Sequence, residues 1–99
     1  MKMELKDRTL IAHIDGELDH HSAQIIRAEL DGAIDRQAVR NLIFDFSKLS
    51  FMDSSGIAVV MRVRQRVRDL GGAVTLRGVR PQARKVMDAA GLDRFVTVE

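Results

Sequence analysis

Strand-like and helix-like segments alternate along this chain, and their order limits the folds it can adopt. Apolar residues at every second position predict strands at residues 3–5 and 10–14. Lys6-Asp7-Arg8 lies between the two and predicts a β-hairpin, while Asp15-Gly16 is predicted to end the second strand. Three helical segments then alternate with three further strands. The order ββαβαβαβ predicts an α/β fold with a mixed β-sheet and right-handed crossovers.

Start and stop signals place the three helices. Ser22 is predicted to cap the first helix, which then shows apolar residues at helical spacing. The second helix is predicted from about Ser55 to Leu70, where Gly71-Gly72 stops it. Pro81 predicts the start of the third helix, and Gly91 followed by Leu92 predicts a Schellman ending. The remaining strands are predicted at residues 41–46, 74–77 and 95–98, and the nearly apolar run 41–46 predicts a central strand covered on both faces.

Composition and charge restrict the class of protein. The 99 residues fit one domain, and the absence of cysteine excludes disulfides and thiolate metal sites. The longest apolar run, residues 57–61, is too short to span a membrane, so we expect a soluble cytoplasmic domain without membrane contact. Residues 1–53 carry 7 basic and 10 acidic side chains (net −3), and residues 54–99 carry 9 basic and 4 acidic ones (net +5). With no Trp or Tyr to stack on bases, we expect no nucleic-acid binding.

Residues 54–70 carry the most informative pattern. At about 100° per residue, one apolar stripe is predicted to face the sheet, comprising Gly56, Val59, Val60, Val63, Val67 and Leu70. Ile57, Ala58 and Met61 fall on the opposite side, together with Ser54 if the helix extends back to it. A serine at a helix entrance beside exposed apolar residues predicts a binding surface, although a second packing layer is the alternative.

The arginines of the same segment flank the core stripe. Arg62 and Arg66 lie on one side of it, and Arg64 and Arg68 lie on the other. They do not form the single basic face that a DNA-reading helix requires. We expect solvated side chains whose stems lie along the edge of the core.

Catalysis by Ser54 would require a general base, and the sequence offers only three histidines. His13 is predicted to be exposed on a strand, while His20 and His21 are predicted in a loop with no third metal ligand at a suitable spacing. No Gly-x-Ser-x-Gly elbow surrounds Ser54, so an enzyme is not expected. A phosphoserine at a helix N-terminus is compatible with the fold, because the helix dipole and free N–H groups tolerate its charge.

Three motifs carry a family resemblance. They are Gly16-Glu17-Leu18-Asp19-His20-His21, Leu49-Ser50-Phe51-Met52-Asp53-Ser54-Ser55-Gly56, and Gly71-Gly72. In order and spacing they closely resemble the anti-sigma factor antagonists, which are single STAS domains, and the resemblance covers residues 1–99. The Leu-Asp-His-His stretch is most similar to the sporulation branch, the anti-sigma F factor antagonists. The family's C-terminal helix is absent, because this chain stops at Glu99; either the chain is truncated or this homologue is short.

The resemblance implies a regulatory mechanism, and we separately expect the protein to be a monomer. The partner is an anti-sigma factor that is also a serine kinase and uses ATP and magnesium; the antagonist itself needs no cofactor. The unphosphorylated antagonist binds the kinase and frees the sigma factor. Phosphorylation of Ser54, and not of Ser55, ends this binding, and a serine phosphatase restores it. The residues expected to meet the partner are Asp19, His20, Asp53, Ser55, Gly56, Ile57, Ala58 and Met61.

Two alternatives remain open at this stage. The chain could act as a STAS regulator in a general stress pathway or in a larger STAS assembly. It could instead be a small phosphocarrier that passes phosphate on from His20 or His21.

Overall fold

The computed structural model describes all 99 residues, and its elements follow the predicted order ββαβαβαβ. The strands are β1 (Lys2–Lys6), β2 (Thr9–Leu18), β3 (Asn41–Met52), β4 (Val74–Arg77) and β5 (Thr97–Val98). The helices are α1 (His20–Arg36), α2 (Ser54–Asp69) and α3 (Pro81–Ala90), and a 3₁₀ turn at Leu92–Arg94 precedes β5. None of the helices combines the length and the apolar character that crossing a membrane requires.

All five strands form one mixed sheet in the order β1-β2-β3-β4-β5. β1 and β2 are antiparallel, as the hairpin prediction requires, and the other neighbours are parallel. Each helix therefore connects two adjacent parallel strands, and every step goes in the same direction. Right-handed connections that all step one way place their helices on the same face of the sheet.

The central strand β3 is consequently covered on one face only, and the prediction of cover on both faces is wrong. Leu42, Phe44 and Phe46 are fully buried beneath the helices, whereas Ile43 and Asp45 on the other face are half-buried. The covered face and the helices share a single core of 25 buried residues. At its centre the rings of Phe44 and Phe46 stack with their centroids 5.3 Å apart. Burial of one such ring contributes about 1.5–3 kcal/mol.

Two strands are longer than predicted. β2 continues past Asp15-Gly16 to Leu18, and β3 continues to Met52. Register shifts between His13 and Asp15 and between Gly16 and Glu17 absorb the irregular segment, so the strand bends without ending. The added residues carry the sheet to the starts of α1 and α2.

The first helix begins earlier than predicted. Asp19, and not Ser22, is its N-cap: the Asp19 carboxylate accepts a hydrogen bond from the Ser22 N–H at 2.9 Å, and the Ser22 hydroxyl accepts one from the Asp19 N–H at 3.0 Å. This reciprocal pair is a capping box in which Ser22 takes the third helical position. His20 and His21 therefore belong to the first helical turn, and the prediction of a loop there is wrong.

The second helix confirms most of its predicted stripe. Gly56, Val59, Val60, Val63 and Val67 are buried, but Leu70 is 50% exposed because the chain leaves the helix at that residue. The predicted stop is confirmed, since Gly71 adopts φ 83° and the Gly72 N–H donates to the Val67 carbonyl at 3.0 Å.

The third helix also has its predicted ends. Pro81 occupies the first turn, Gly91 is left-handed, and Leu92 is buried behind it. The last strand is shorter than predicted, because the 3₁₀ turn includes residues up to Arg94 and Phe95 remains 41% exposed.

Candidate functional site

The starts of α1 and α2 lie side by side at one edge of the sheet. β2 and β3 are parallel neighbours whose last residues, Leu18 and Met52, are paired. The next residue of each strand is the N-cap of the following helix, Asp19 for α1 and Asp53 for α2. The Asp53 N–H also donates to the Leu18 carbonyl at 3.3 Å. The motifs around Asp19 and around Ser54, distant in sequence, are therefore brought together.

The start of α3 is attached to the same edge by Gln82. Its side-chain carbonyl accepts from the Met52 N–H at 2.8 Å, and its amide donates to the Met52 carbonyl at 2.8 Å. β4 pairs with β3 only as far as Asp45, so Gln82 supplies the hydrogen bonds that a longer β4 would make. Nothing in the sequence distinguished Gln82 from any polar residue in a first helical turn.

A close approach of α2 to the strand ends depends on Gly56. A Cβ at this position would lie 2.7 Å from Met52 Cγ and 3.0 Å from Leu18 Cδ2. Real Cβ atoms do not approach so closely in a packed interior. The absence of a side chain therefore lets the turn that carries Ser54 and Ser55 rest directly on the sheet.

Ser54 is at the first helical position of α2 and is exposed. Its hydroxyl makes no hydrogen bond within the chain, and neither a histidine nor another base contacts it. It borders a groove of about 520 Å³ between α2 and α3, whose other lining residues are Ile57, Lys85, Val86, Ala89 and Ala90. The free hydroxyl thus stands beside a mostly apolar surface.

Ser55 has different surroundings although it is the next residue. It is half-buried, and its N–H donates to the Asp53 carboxylate at 2.8 Å. It borders a separate groove of about 380 Å³ between α1 and α2, which is also lined by His20 and Ala58. The two serines therefore face opposite sides of α2.

The three apolar residues predicted to lie away from the sheet differ in exposure. Ala58 is exposed, whereas Ile57 and Met61 are half-buried and pack against the rim of the core. Ile57 shares its groove with α3 residues, so the domain covers part of it and leaves part accessible.

Two carboxylates border the site through their capping roles. The backbone N–H of Ser22 holds the pKa of Asp19 below its ordinary value, so this group is ionised at neutral pH. Asp53 accepts from Ser55 in the same way at the start of α2. Of these two N-cap residues, Asp53 directly precedes Ser54, whereas Asp19 lies at the start of α1, on the side of α2 that Ser55 faces.

His13 lies away from this site, on the uncovered face of the sheet, and it is not simply exposed as predicted. Its Nδ1 lies 2.7 Å from the Asp45 carboxylate and its Nε2 lies 3.0 Å from the Glu4 carboxylate. Both ring nitrogens can donate only in the protonated form. The hydrogen bond to Glu4, followed by that to Asp45, raises the pKa of His13 above its ordinary value. Cross-strand register creates this cluster, and no local sequence pattern marked it.

The arginines of α2 lie on the two flanks that helical spacing predicts. Arg66 contacts Asp31 and Asp35 of α1, and Arg62 contacts Asp31 at 3.1 Å. On the other flank, the Arg64 Nε donates to the Phe95 carbonyl at 3.2 Å. Three of the four expected solvated side chains are therefore bonded to neighbouring elements.

Comparison with known proteins identifies consistent relatives. The model of the STAS domain family matches residues 1–99. An anti-sigma F factor antagonist of Paenibacillus polymyxa is 31% identical over 98 residues, which are 99% of this chain and 84% of that protein.

Two solved structures share both fold and sequence with the chain. The anti-sigma factor antagonist SpoIIAA in its unphosphorylated form has a TM-score of 0.87 and 35% identity, with coverage of 99% of this chain and 86% of that one. The Bacillus cell fate determinant SpoIIAA in the phosphorylated form has a TM-score of 0.77 and 34% identity, with coverage of 99% and 89%.

Proposed function

The chain belongs to the STAS domain family, and from this premise we propose that it is an anti-sigma factor antagonist controlled by phosphorylation of Ser54. In the unphosphorylated form it binds an anti-sigma factor that is also a serine kinase, and the sigma factor is released. Phosphorylated Ser54 prevents that contact until a serine phosphatase removes the group. The similarity to a protein named for sigma F supports a role in sporulation.

The observation that carries the proposal is the position of the Ser54 hydroxyl. It is exposed, unbonded and located at the first position of α2, beside the groove that Ile57 and Val86 line. A kinase can reach such a hydroxyl without unfolding the domain. A partner that covers the groove must also cover the hydroxyl, so the modified atom lies within the contact surface.

Electrostatics explain why the modification would affect binding more than folding. A phosphoserine carries about −1.5 to −2 charges, and a helix N-terminus stabilises such a charge by about 0.3–1 kcal/mol. Repulsion from the adjacent Asp53 opposes this gain. In a complex, however, the charge would be buried against apolar atoms, and an unpaired buried charge costs several kcal/mol.

The chemistry belongs to the partner. The kinase would supply ATP and magnesium. The Ser54 Oγ would bond to the γ-phosphorus as the bond between that phosphorus and ADP breaks, and the hydroxyl proton would pass to a base of the kinase. The antagonist contributes only the acceptor hydroxyl and the docking surface. The same surface would serve a stress-pathway circuit, and relative affinities for a panel of anti-sigma factors would identify the circuit.

The adjacent serines provide a matched test of this proposal. The protein would be incubated with an anti-sigma F kinase and ATP–magnesium, and the product analysed by peptide mass spectrometry. We expect one acid-stable phosphoryl group on Ser54, its loss in Ser54→Ala and its retention in Ser55→Ala. Modification of Ser55, or an acid-labile phosphate on His20 or His21, would contradict the proposal; the latter result would favour a phosphocarrier.

A further inference from the structure

The flank of α2 that faces β5 carries arginines without acidic partners. Arg64 and Arg68 of α2 and Arg94 of the 3₁₀ turn line one groove of about 380 Å³, which we call the arginine groove. None of the three takes part in an ion pair, and Asp93 is the only acidic residue that lines the groove. On the opposite flank, Arg62 and Arg66 are neutralised by α1. The two flanks of one helix thus differ in their charge balance.

Neutral groups hold Arg64 and Arg94 and leave their charge unpaired. Arg64 and Arg94 each use Nε to donate to a backbone carbonyl, that of Phe95 and that of Gly91, both at 3.2 Å. Their guanidinium carbons lie 5.3 and 5.6 Å from the centroid of the Phe95 ring. Cation–π contact orients a guanidinium without neutralising it. The terminal nitrogens remain available for the paired hydrogen bonds that carboxylates accept.

The groove also presents apolar surface. Four of its ten lining residues are hydrophobic, and among them Phe95 is 41% exposed. From these features we propose that the arginine groove binds an acidic segment of a partner protein, with carboxylates on the guanidinium groups and apolar side chains along Phe95. A single-stranded nucleic acid fits less well, because the guanidinium groups of Arg64 and Arg94 already lie against the ring on which a base would stack.

This surface is separate from the Ser54 site. Ser54 and Arg68 are near opposite ends of α2, and fourteen residues at about 1.5 Å each place their backbones roughly 21 Å apart. That separation exceeds the screening length of about 8 Å at physiological salt. Binding in the arginine groove is therefore independent of the phosphorylation state of Ser54. Failure of the proposed function would leave this binding site unaffected, and the reverse also holds.

A labelled hexapeptide of alternating glutamate and leucine is the probe for this groove, and its glutamine–leucine counterpart is the neutral control. We expect the acidic peptide to bind, to shift the NMR resonances of Phe95 and the three arginine side chains, and to dissociate as salt is raised. Because an exposed ion pair contributes little to affinity, Arg68→Gln, which removes one exposed charge, is expected to weaken binding by up to about fivefold.

Arg36→Gln is the matched control, because it removes the same charge from the exposed last turn of α1. Arg68→Glu is a second test that leaves the bonds of Arg64 and Arg94 intact, and we expect it to weaken binding at least as much with unchanged thermal unfolding. An equal loss in Arg36→Gln, unchanged binding in Arg68→Glu, or tighter binding of an oligothymidylate at the same residues would overturn the proposal.

Discussion

At the residue scale, two neighbouring serines differ because Asp53 caps α2. Its carboxylate holds the Ser55 N–H, which fixes the first turn and directs the two side chains to different grooves. Ser54 keeps a free, exposed hydroxyl, whereas Ser55 is half-buried between α1 and α2. The proposed specificity for Ser54 therefore follows from helix geometry, and no special reactivity of its hydroxyl is required.

His13 supports a prediction of pH-dependent stability at the same scale. Hydrogen bonds raise its pKa above the ordinary value of 6.5, so its contribution to stability is complete below pH 6.5 and is lost as the pH rises through the raised value. The hydrogen bond from His13 lowers the pKa of Glu4 below its ordinary value. Partial burial works to raise the pKa of Asp45, but hydrogen bonds from Ser47 and His13 outweigh it and lower that pKa as well. The two carboxylates stabilise the fold at pH values above their ordinary pKa values, and this stabilisation is lost as the pH falls through their lowered pKa values.

We therefore expect His13→Gln to lower the thermal unfolding midpoint more at about pH 5.5 than at about pH 8.5. Calorimetry at both pH values measures the difference, and His21→Gln on the exposed first turn of α1 is the control. Lys2, Asp15 and Lys48 line the same surface and remain in both proteins. A difference in unfolding midpoint between the wild type and His13→Gln that is larger at about pH 8.5 than at about pH 5.5 would contradict the assignment of a protonated His13.

At the element scale, the site depends on three helices that start at one edge of the sheet. The paired ends of β2 and β3 align α1 and α2, and Gln82 attaches α3 to Met52. Ion pairs between Arg66 and the α1 aspartates then connect α1 to α2 farther along. Partial burial of Asp31 works to raise its pKa, but hydrogen bonds from Arg66 and Arg62 outweigh it, so its pKa is lowered and the group is ionised at neutral pH.

Gln82 provides the prediction at this scale. Gln82→Ala leaves the Met52 N–H and carbonyl without their partners, and an unsatisfied buried polar group costs about 1–3 kcal/mol. We expect a corresponding loss in the free energy of unfolding and faster amide hydrogen exchange at Met52. Gln82→Glu is the informative control, because it keeps an acceptor for the N–H but loses the donor to the carbonyl, so exchange at Met52 should be less affected than in Gln82→Ala. Equal exchange in the wild type and Gln82→Ala would show that this attachment is unimportant.

At the scale of the whole molecule, the features that the sequence predicted correctly depend on local periodicity and on glycine at helix ends. They are the element order, the hairpin, the buried stripe of α2 and the helix stops at Gly71 and Gly91. Features that depend on contacts across the sheet were not predicted. The apolar run at residues 41–46 indicated cover on both faces, yet consecutive crossovers in one direction leave one face open. The Gln82 attachment and the His13 cluster likewise arise only when separate segments meet. The Asp19 cap is local, and it was missed because Ser22, three residues later, is also a common N-cap residue.

The most direct test of the phosphorylation switch compares the affinity of unmodified and stoichiometrically Ser54-phosphorylated protein for an anti-sigma F kinase, with thermal unfolding of both forms. Because burial of the added charge costs several kcal/mol, we predict affinity at least about a hundredfold weaker after phosphorylation. Stabilisation by the helix N-terminus and repulsion from the adjacent Asp53 nearly cancel, so the unfolding midpoint should move by less than about 8 °C. Equal affinity of the two forms, or loss of binding together with loss of folding, would contradict the switch.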